Sequence, residues 1–373
     1  MYLRTLLVAL GLLLAAPALT NLVVDPYQVW HDRWWGPDLF GDNQRYQTAG
    51  LIRRYLECDA CARAVALVGT SLSENTTDAE LRTITGRPNA IRLLAHGGYA
   101  SEHAQMLARA LQSGKVDLVL WELYRNYAIL PAEQPPRVAD FPDFLYTRSV
   151  LDDAPYLFNN SVFKQSVLLL LGLSDWSTDP GQLNSWHAEA VAKSRYAKWS
   201  SDGMLQINRD RVAPRRQRWR GSRPDWSLSA AAFEHYLEPL VAAHPEIEFV
   251  FFAPPVSPVR HGLNLGALLS RELVLRDRLA QLAAQRPNVS LFAFDSYEPI
   301  VTDSGHYRDE AHYSPAVGRW MLERIVANDP RFVLTPANVR AHGEQVWRLA
   351  IEHEPRSSCT ATPHWCGRLP VPD

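Results

Sequence analysis

From Ala64 onward the chain alternates short apolar runs with amphipathic stretches, and no other feature of the sequence limits its fold so closely. Ala64 to Gly69 (AVALVG) is such a run, and Asn89 to Ala95, Val116 to Leu123, Glu248 to Ala253 and Val289 to Phe294 repeat it. Short runs without clear polar alternation read as strands covered on both faces, the condition of strands in a parallel sheet. Between them Ser101 to Leu111, Ser229 to Ala243 and Leu265 to Ala284 read as helices, and Pro254-Pro255 must end the fourth ladder because proline has no N–H to donate. Successive units of this kind predict an α/β protein with a three-layer α/β/α, flavodoxin-like body around a parallel sheet.

The alternation lapses between about Asn126 and Trp226, so a large insertion after the third strand is expected, at about residues 127–228. Within it Ser166 to Leu173 (SVLLLLGL) is too short to span a bilayer and is expected as a buried helix or a lid face. The resulting plan has a leader or anchor at 1–24, an aromatic connecting segment at 25–63, the α/β body at 64–335, and a C-terminal helix with a cysteine-bearing tail at 336–373.

Thr5 to Leu19 runs without a charge, preceded by Arg4. This is an export signal, either a cleaved signal peptide ending near Ala16-Pro17-Ala18 or a retained anchor extended to Val24. Both place the body outside the cytoplasm, in the periplasm or on the extracytoplasmic face of the inner membrane. The four cysteines, in the pairs Cys58/Cys61 and Cys359/Cys366, suit disulfides in an oxidising compartment; a zinc site is the rival, and the spacing does not fix the pairing. The tryptophans between Asp25 and Asp42 are expected to pack on the body or to lie near lipid headgroups.

Composition adds an exclusion. With 47% hydrophobic residues and a formal net charge of -2, the chain has no overall signature of a nucleic-acid binder. The one basic stretch, Arg209 to Arg223, contains Arg215, Arg216, Arg218, Trp219 and Arg220; it is either a patch for an anionic polymer or lipid headgroups, or a solvated loop.

Chemistry concentrates at the expected carboxyl ends of strands, where open α/β sheets bind ligands. Ser71 follows the first strand, and a serine hydroxyl there becomes a nucleophile only beside a base; Ser73 is its neighbour and internal control. Asp309 and His312 lie just before Ser314-Pro315, which reads as an N-cap and first helical residue. From such a loop an imidazole can take the serine proton while a carboxylate fixes its tautomer. His306, Asp309 and His312 also recur every three residues, so a metal site and a structural histidine network are the alternatives. Pro254 to Ser257 could line an acyl pocket, or simply end a strand.

Gly69-Thr70-Ser71, Gly97-Gly98, Asn126 and Asp309-x-x-His312, each placed after a strand or before the last helix, resemble in order and placement the blocks of the SGNH/GDSL hydrolase superfamily. The Asp-x-x-His-Tyr-Ser ending, the apolar N-terminus and the Asp-Pro-Tyr start are similar to bacterial membrane-anchored SGNH-like acyltransferases of the teichoic-acid D-alanine transfer and alginate O-acetylation type. The resemblance implies Ser71 as nucleophile, His312 as general base and Asp309 as its orienter. It implies an oxyanion hole from the N–H groups of Ser71 and Gly97 or Gly98 with the Asn126 side chain, and no cofactor. Two blocks depart from the family. Thr70 stands where an aspartate is usual, and Tyr124-Arg125-Asn126-Tyr127 replaces the usual Gly-x-Asn-Asp, so Asn126 can also be a plain turn residue. The implied activity is acyl-ester hydrolysis or O-acyl transfer on an exopolysaccharide or envelope glycan, with an integral-membrane acyl-donor protein as a possible partner. The rival is a non-catalytic envelope protein that keeps the scaffold to bind a polymer or such a partner.

Overall fold

The computed structural model describes residues 2, 15–31, 43–129, 141–173, 207–307 and 309–353. Its centre is a five-stranded parallel sheet of order β2-β1-β3-β4-β5, built from β1 (Ala64–Gly69), β2 (Asn89–Leu94), β3 (Val116–Glu122), β4 (Glu248–Ala253) and β5 (Val289–Ala293). All five apolar runs are strands, with bounds within a residue of those read from the sequence.

Alternate side chains of each strand enter two cores. Ala64, Ala66, Val68, Val119, Trp121, Phe249 and Phe251 face one side, where they meet α1 (Gln44–Glu57), and Val65, Leu67, Leu118, Leu120, Val250 and Phe252 face the other, where they meet α2 (Asp78–Thr85). The chain path explains which helix goes where. From β1 it steps outward to β2 through α2, and from β2 it steps back past β1 to β3 through α3 (Ala100–Leu111). Right-handed crossovers in opposite directions put their helices on opposite faces, and α3 indeed joins α1 on the first face. The sheet is therefore covered on both sides, which is why its strands are largely apolar on both faces.

Between β3 and β4 the described residues form helices and turns, among them α4 (Asn160–Leu170), α5 (Ala213–Trp219) and α6 (Glu238–Ala243). Residues 130–140 and 174–206 of the expected insertion lie outside the described residues. Beyond β4 come α7 (Pro258–Asn264) and α8 (Ala267–Gln285); beyond β5, α9 (Pro315–Val326) crosses to the second face and α10 (Val339–Glu352) packs on α7 and α8.

Three expectations need correction or completion. Ser166 to Leu173 is not a buried helix: Ser166 and Leu169 face inward, but Leu170, Leu171 and Leu173 are exposed, because α4 covers the body with one stripe only. The basic stretch is partly core. Arg216 is buried with Nε donating to the Ala350 carbonyl (2.9 Å), and Trp219 packs edge-on against Trp347, while Arg215, Arg218 and Arg220 stay exposed. Cys58 and Cys61 form a disulfide with Cα atoms 5.4 Å apart, whereas Cys359 and Cys366 lie outside the described residues.

Candidate active site

In a 2-1-3-4-5 sheet the strand order reverses between β1 and β3, so the loops leaving those strands splay apart and open a crevice. Thr70 to Asn75 leaves β1 at that point, and Glu122 ends β3 beside it. Thr70 Oγ1 donates to Glu122 Oε1 (2.6 Å), and Ser73 Oγ donates to Glu122 Oε2, so a buried carboxyl ties down both flanks of Ser71. Gly69 makes this approach possible. A Cβ there would stand 2.5 Å from Ser73 Oγ and 2.9 Å from Glu122 Oε2. Burial pushes the Glu122 carboxyl above the usual range, further than the Ser73 and Thr70 hydroxyls, the Thr70 amide and nearby His312 pull it down.

That clamp separates the two serines. Ser73 is buried and committed to Glu122, whereas the half-buried Ser71 hydroxyl lies 2.8 Å from His312 Nε2. His312 Nδ1 in turn lies 2.6 Å from Asp309 Oδ2. Asp309 Oδ1 accepts the backbone N–H groups of Ala311 and His312, each at 2.8 Å, which fixes the carboxylate against the loop that carries its imidazole. Burial alone would raise Asp309, but the charge and hydrogen bonds of His312 and the Ala311 amide outweigh it and hold this carboxyl below its ordinary range. An ionised carboxylate on Nδ1 leaves Nε2 as the nitrogen that meets Ser71 and can take its proton.

The loop around the histidine is anchored on several sides. Ser314 caps α9, Pro315 is its first residue, and the Ser314 N–H reaches back to the His306 carbonyl (2.9 Å). Asn75 Nδ2 donates to the Tyr313 carbonyl (2.6 Å), joining the serine loop directly to the histidine loop. Ser257, at the cap of α7, donates to the Glu310 carbonyl (2.6 Å), and Arg260 pairs with Glu310 (3.0 Å). His306, the third member of the periodic trio, is not part of the relay, and among the described residues no three His, Cys, Asp or Glu side chains are grouped to hold a metal ion.

The expected oxyanion donors divide. Gly98 is occupied: its N–H donates to the Ala95 carbonyl (2.9 Å), and a Cβ would stand 2.6 Å from the His103 ring, so its glycine serves close packing. His103 is deeply buried, which with the Arg45 charge pushes its pKa down to about 3 and leaves it neutral against Tyr127 Oη (2.5 Å). Gly97 has φ +58°, a conformation glycine adopts without strain, and its carbonyl accepts Asn126 Nδ2 at 2.5 Å. Gly97 and Asn126 are thus brought together, and the second amide hydrogen of Asn126 remains for another acceptor. A cavity reaches Leu72, the residue after Ser71, and is walled by Tyr124, Arg125, Pro254, Val256 and Arg260. Pro254 and Val256 line it together with His261, Asn264, Glu272 and Arg276, while Ser257 acts as the helix cap.

No protein-family model matches this chain, and no curated protein matches it. Sequence reasoning missed Glu122 as the clamp of the nucleophile loop. Its signal was a carboxyl at the buried end of the run VDLVLWE, where a charged side chain must find partners.

Proposed function

We propose that the chain is a serine-dependent acyl-ester hydrolase or O-acyltransferase of SGNH type, exported and held at the membrane by its N-terminal segment, acting on an exopolysaccharide or envelope glycan. The observation that carries this reading is the unbroken relay from Ser71 Oγ to His312 Nε2 (2.8 Å) and from His312 Nδ1 to Asp309 (2.6 Å). Ser71 Oγ attacks the acyl carbonyl carbon as its proton passes to His312 Nε2, and the negative charge on the carbonyl oxygen is met by the Gly97 N–H and the Asn126 amide. Collapse breaks the ester bond, the leaving alcohol takes the proton from His312, and the acyl group stays on Ser71. Water or a sugar hydroxyl, deprotonated by the same imidazole, then attacks the acyl-serine, the bond from the acyl carbon to Ser71 Oγ breaks and Ser71 Oγ takes the proton back from His312; water gives hydrolysis and the hydroxyl gives transfer.

Fluorophosphonate labelling of the full chain tests this. Wild type and Ser73→Ala should label, Ser71→Ala should not, and His312→Ala should label far more slowly. A well-folded wild type that does not label would remove the nucleophile and leave the binding-scaffold reading.

A further inference from the structure

Among the described residues, large exposed apolar side chains are concentrated in two stretches of the chain. Of the eleven found among the described residues, nine fall in residues 19–23 or 150–173, two stretches that meet through Asn21. Three of them, Leu19, Leu22 and Val23, lie on the helix of residues 15–24 that continues the uncharged Thr5 to Leu19 run. The remaining six include Leu151 (86% exposed), Phe158 (66%) and Leu171 (63%).

The two groups are bolted together by buried polar side chains. Asn21 is fully buried; its Nδ2 donates to the Leu157 carbonyl (2.8 Å), next to Phe158, and its Oδ1 accepts Ser166 Oγ (3.0 Å), one helical turn before Leu170. Four residues on, the buried Asp25 carboxylate accepts Tyr156 Oη (2.7 Å) and the N–H groups of Val29, Trp30 and His31. An asparagine and an aspartate spent in this way close an apolar segment onto the body without a flexible joint. A helix so clamped carries its neighbours to whatever depth it reaches itself.

We propose that residues 19–23 and 150–173 form a platform that lies in the headgroup layer of a lipid bilayer, so that the body rests on the membrane in a fixed orientation instead of hanging from a tether. This rests on the reading that the N-terminal apolar run enters the bilayer. The occupant is lipid because the helix of residues 15–24 continues that uncharged run along the sequence. A short, partly polar apolar face of this kind suits burial about 5–10 Å into the interface and not a span.

The test uses the full chain with Cys359→Ser and Cys366→Ser and one further substitution, Leu22→Cys, Leu151→Cys, Phe158→Cys, Leu171→Cys or Val326→Cys, each labelled with nitrobenzoxadiazole. Each protein is reconstituted into phosphatidylethanolamine–phosphatidylglycerol vesicles containing nitroxide lipids, after circular dichroism has shown a native fold. Labels at 22, 151, 158 and 171 should shift to the blue and lose intensity to shallow nitroxides, while the label at 326, on another part of the surface, stays bright. Quenching at 22 alone would overturn the platform and keep the anchor. Quenching at none would remove the anchor as well. Labels at 151, 158 and 171 that resist both nitroxide lipid and aqueous iodide would mean that protein covers the surface, another residue range of this chain or a second copy, and would also overturn it.

Discussion

Two aspartates at the carboxyl edge of this sheet hold histidines, and they do opposite things with them. Asp309 takes one imidazole, His312, whose far nitrogen meets a half-buried serine and whose side chain keeps 20% of its exposure. Asp295, two residues past β5, is fully enclosed and gathers His261 (3.0 Å), His342 (3.3 Å) and Arg276 (2.8 Å) from α7, α10 and α8. Burial would raise the Asp295 carboxyl, but Arg276 and the two histidines together hold it well below the usual range. The difference teaches what a carboxylate and an imidazole need in order to act. At Asp309 a nucleophile waits on the free side of the ring; at Asp295 the partners are three helices, and the charge is used to fasten them to the sheet.

The comparison breaks most visibly through variants of the histidines and their carboxylates. His312→Ala should slow fluorophosphonate labelling by about 10^6-fold while the melting temperature stays near wild type. Asp309→Asn should slow it by about 10^4-fold, because the amide no longer selects the tautomer. Asp295→Ala should reverse the pattern. It leaves Arg276 buried without its counter-charge and should cost about 3–5 kcal/mol in a denaturant titration, with Ser71 still labelling in the folded fraction. Loss of labelling in a folded Asp295→Ala protein would mean that the two constellations are not separate in function.

Much of this was legible in the sequence, and the parts that were not have physical reasons. The five strands read cleanly because a sheet covered on both faces leaves no alternation to misread. Ser71, Asp309 and His312 stand at loop positions that local residue chemistry marks, such as the Ser314-Pro315 cap that follows the histidine. The partners of Asp295 and Glu122 were not legible for the opposite reason, since each gathers them from segments far apart in the chain or from hydroxyls that look like ordinary turn residues. Gly98 shows a third case. A glycine pair can be recognised in sequence, but which of the two amides is left over depends on the turn they form, and Ala95 takes the one from Gly98.

A smaller effect sharpens the contrast between carboxyls held by cations and one held by hydroxyls. Asp295 is depressed, so its contribution is present above the unfolded value, about pH 3.9, and is lost as the pH falls through the folded one. Glu122 is raised, so the sign inverts: its contribution is full below about pH 4.3 and is lost as the pH rises through the folded value. Glu122→Gln keeps an acceptor for one hydroxyl and removes the titration, because a hydroxyl can turn to accept from the new amide. The melting temperature of Glu122→Gln minus that of wild type should therefore climb as the pH rises from mildly acidic conditions and then level off. The same difference for Asp295→Asn should be large at neutral pH and shrink in acid. A flat difference for Glu122→Gln between pH 4 and 8 would show that the hydroxyls of Thr70 and Ser73 compensate fully for burial, and the carboxyl beneath the nucleophile loop would then be as ordinary in its titration as a surface glutamate.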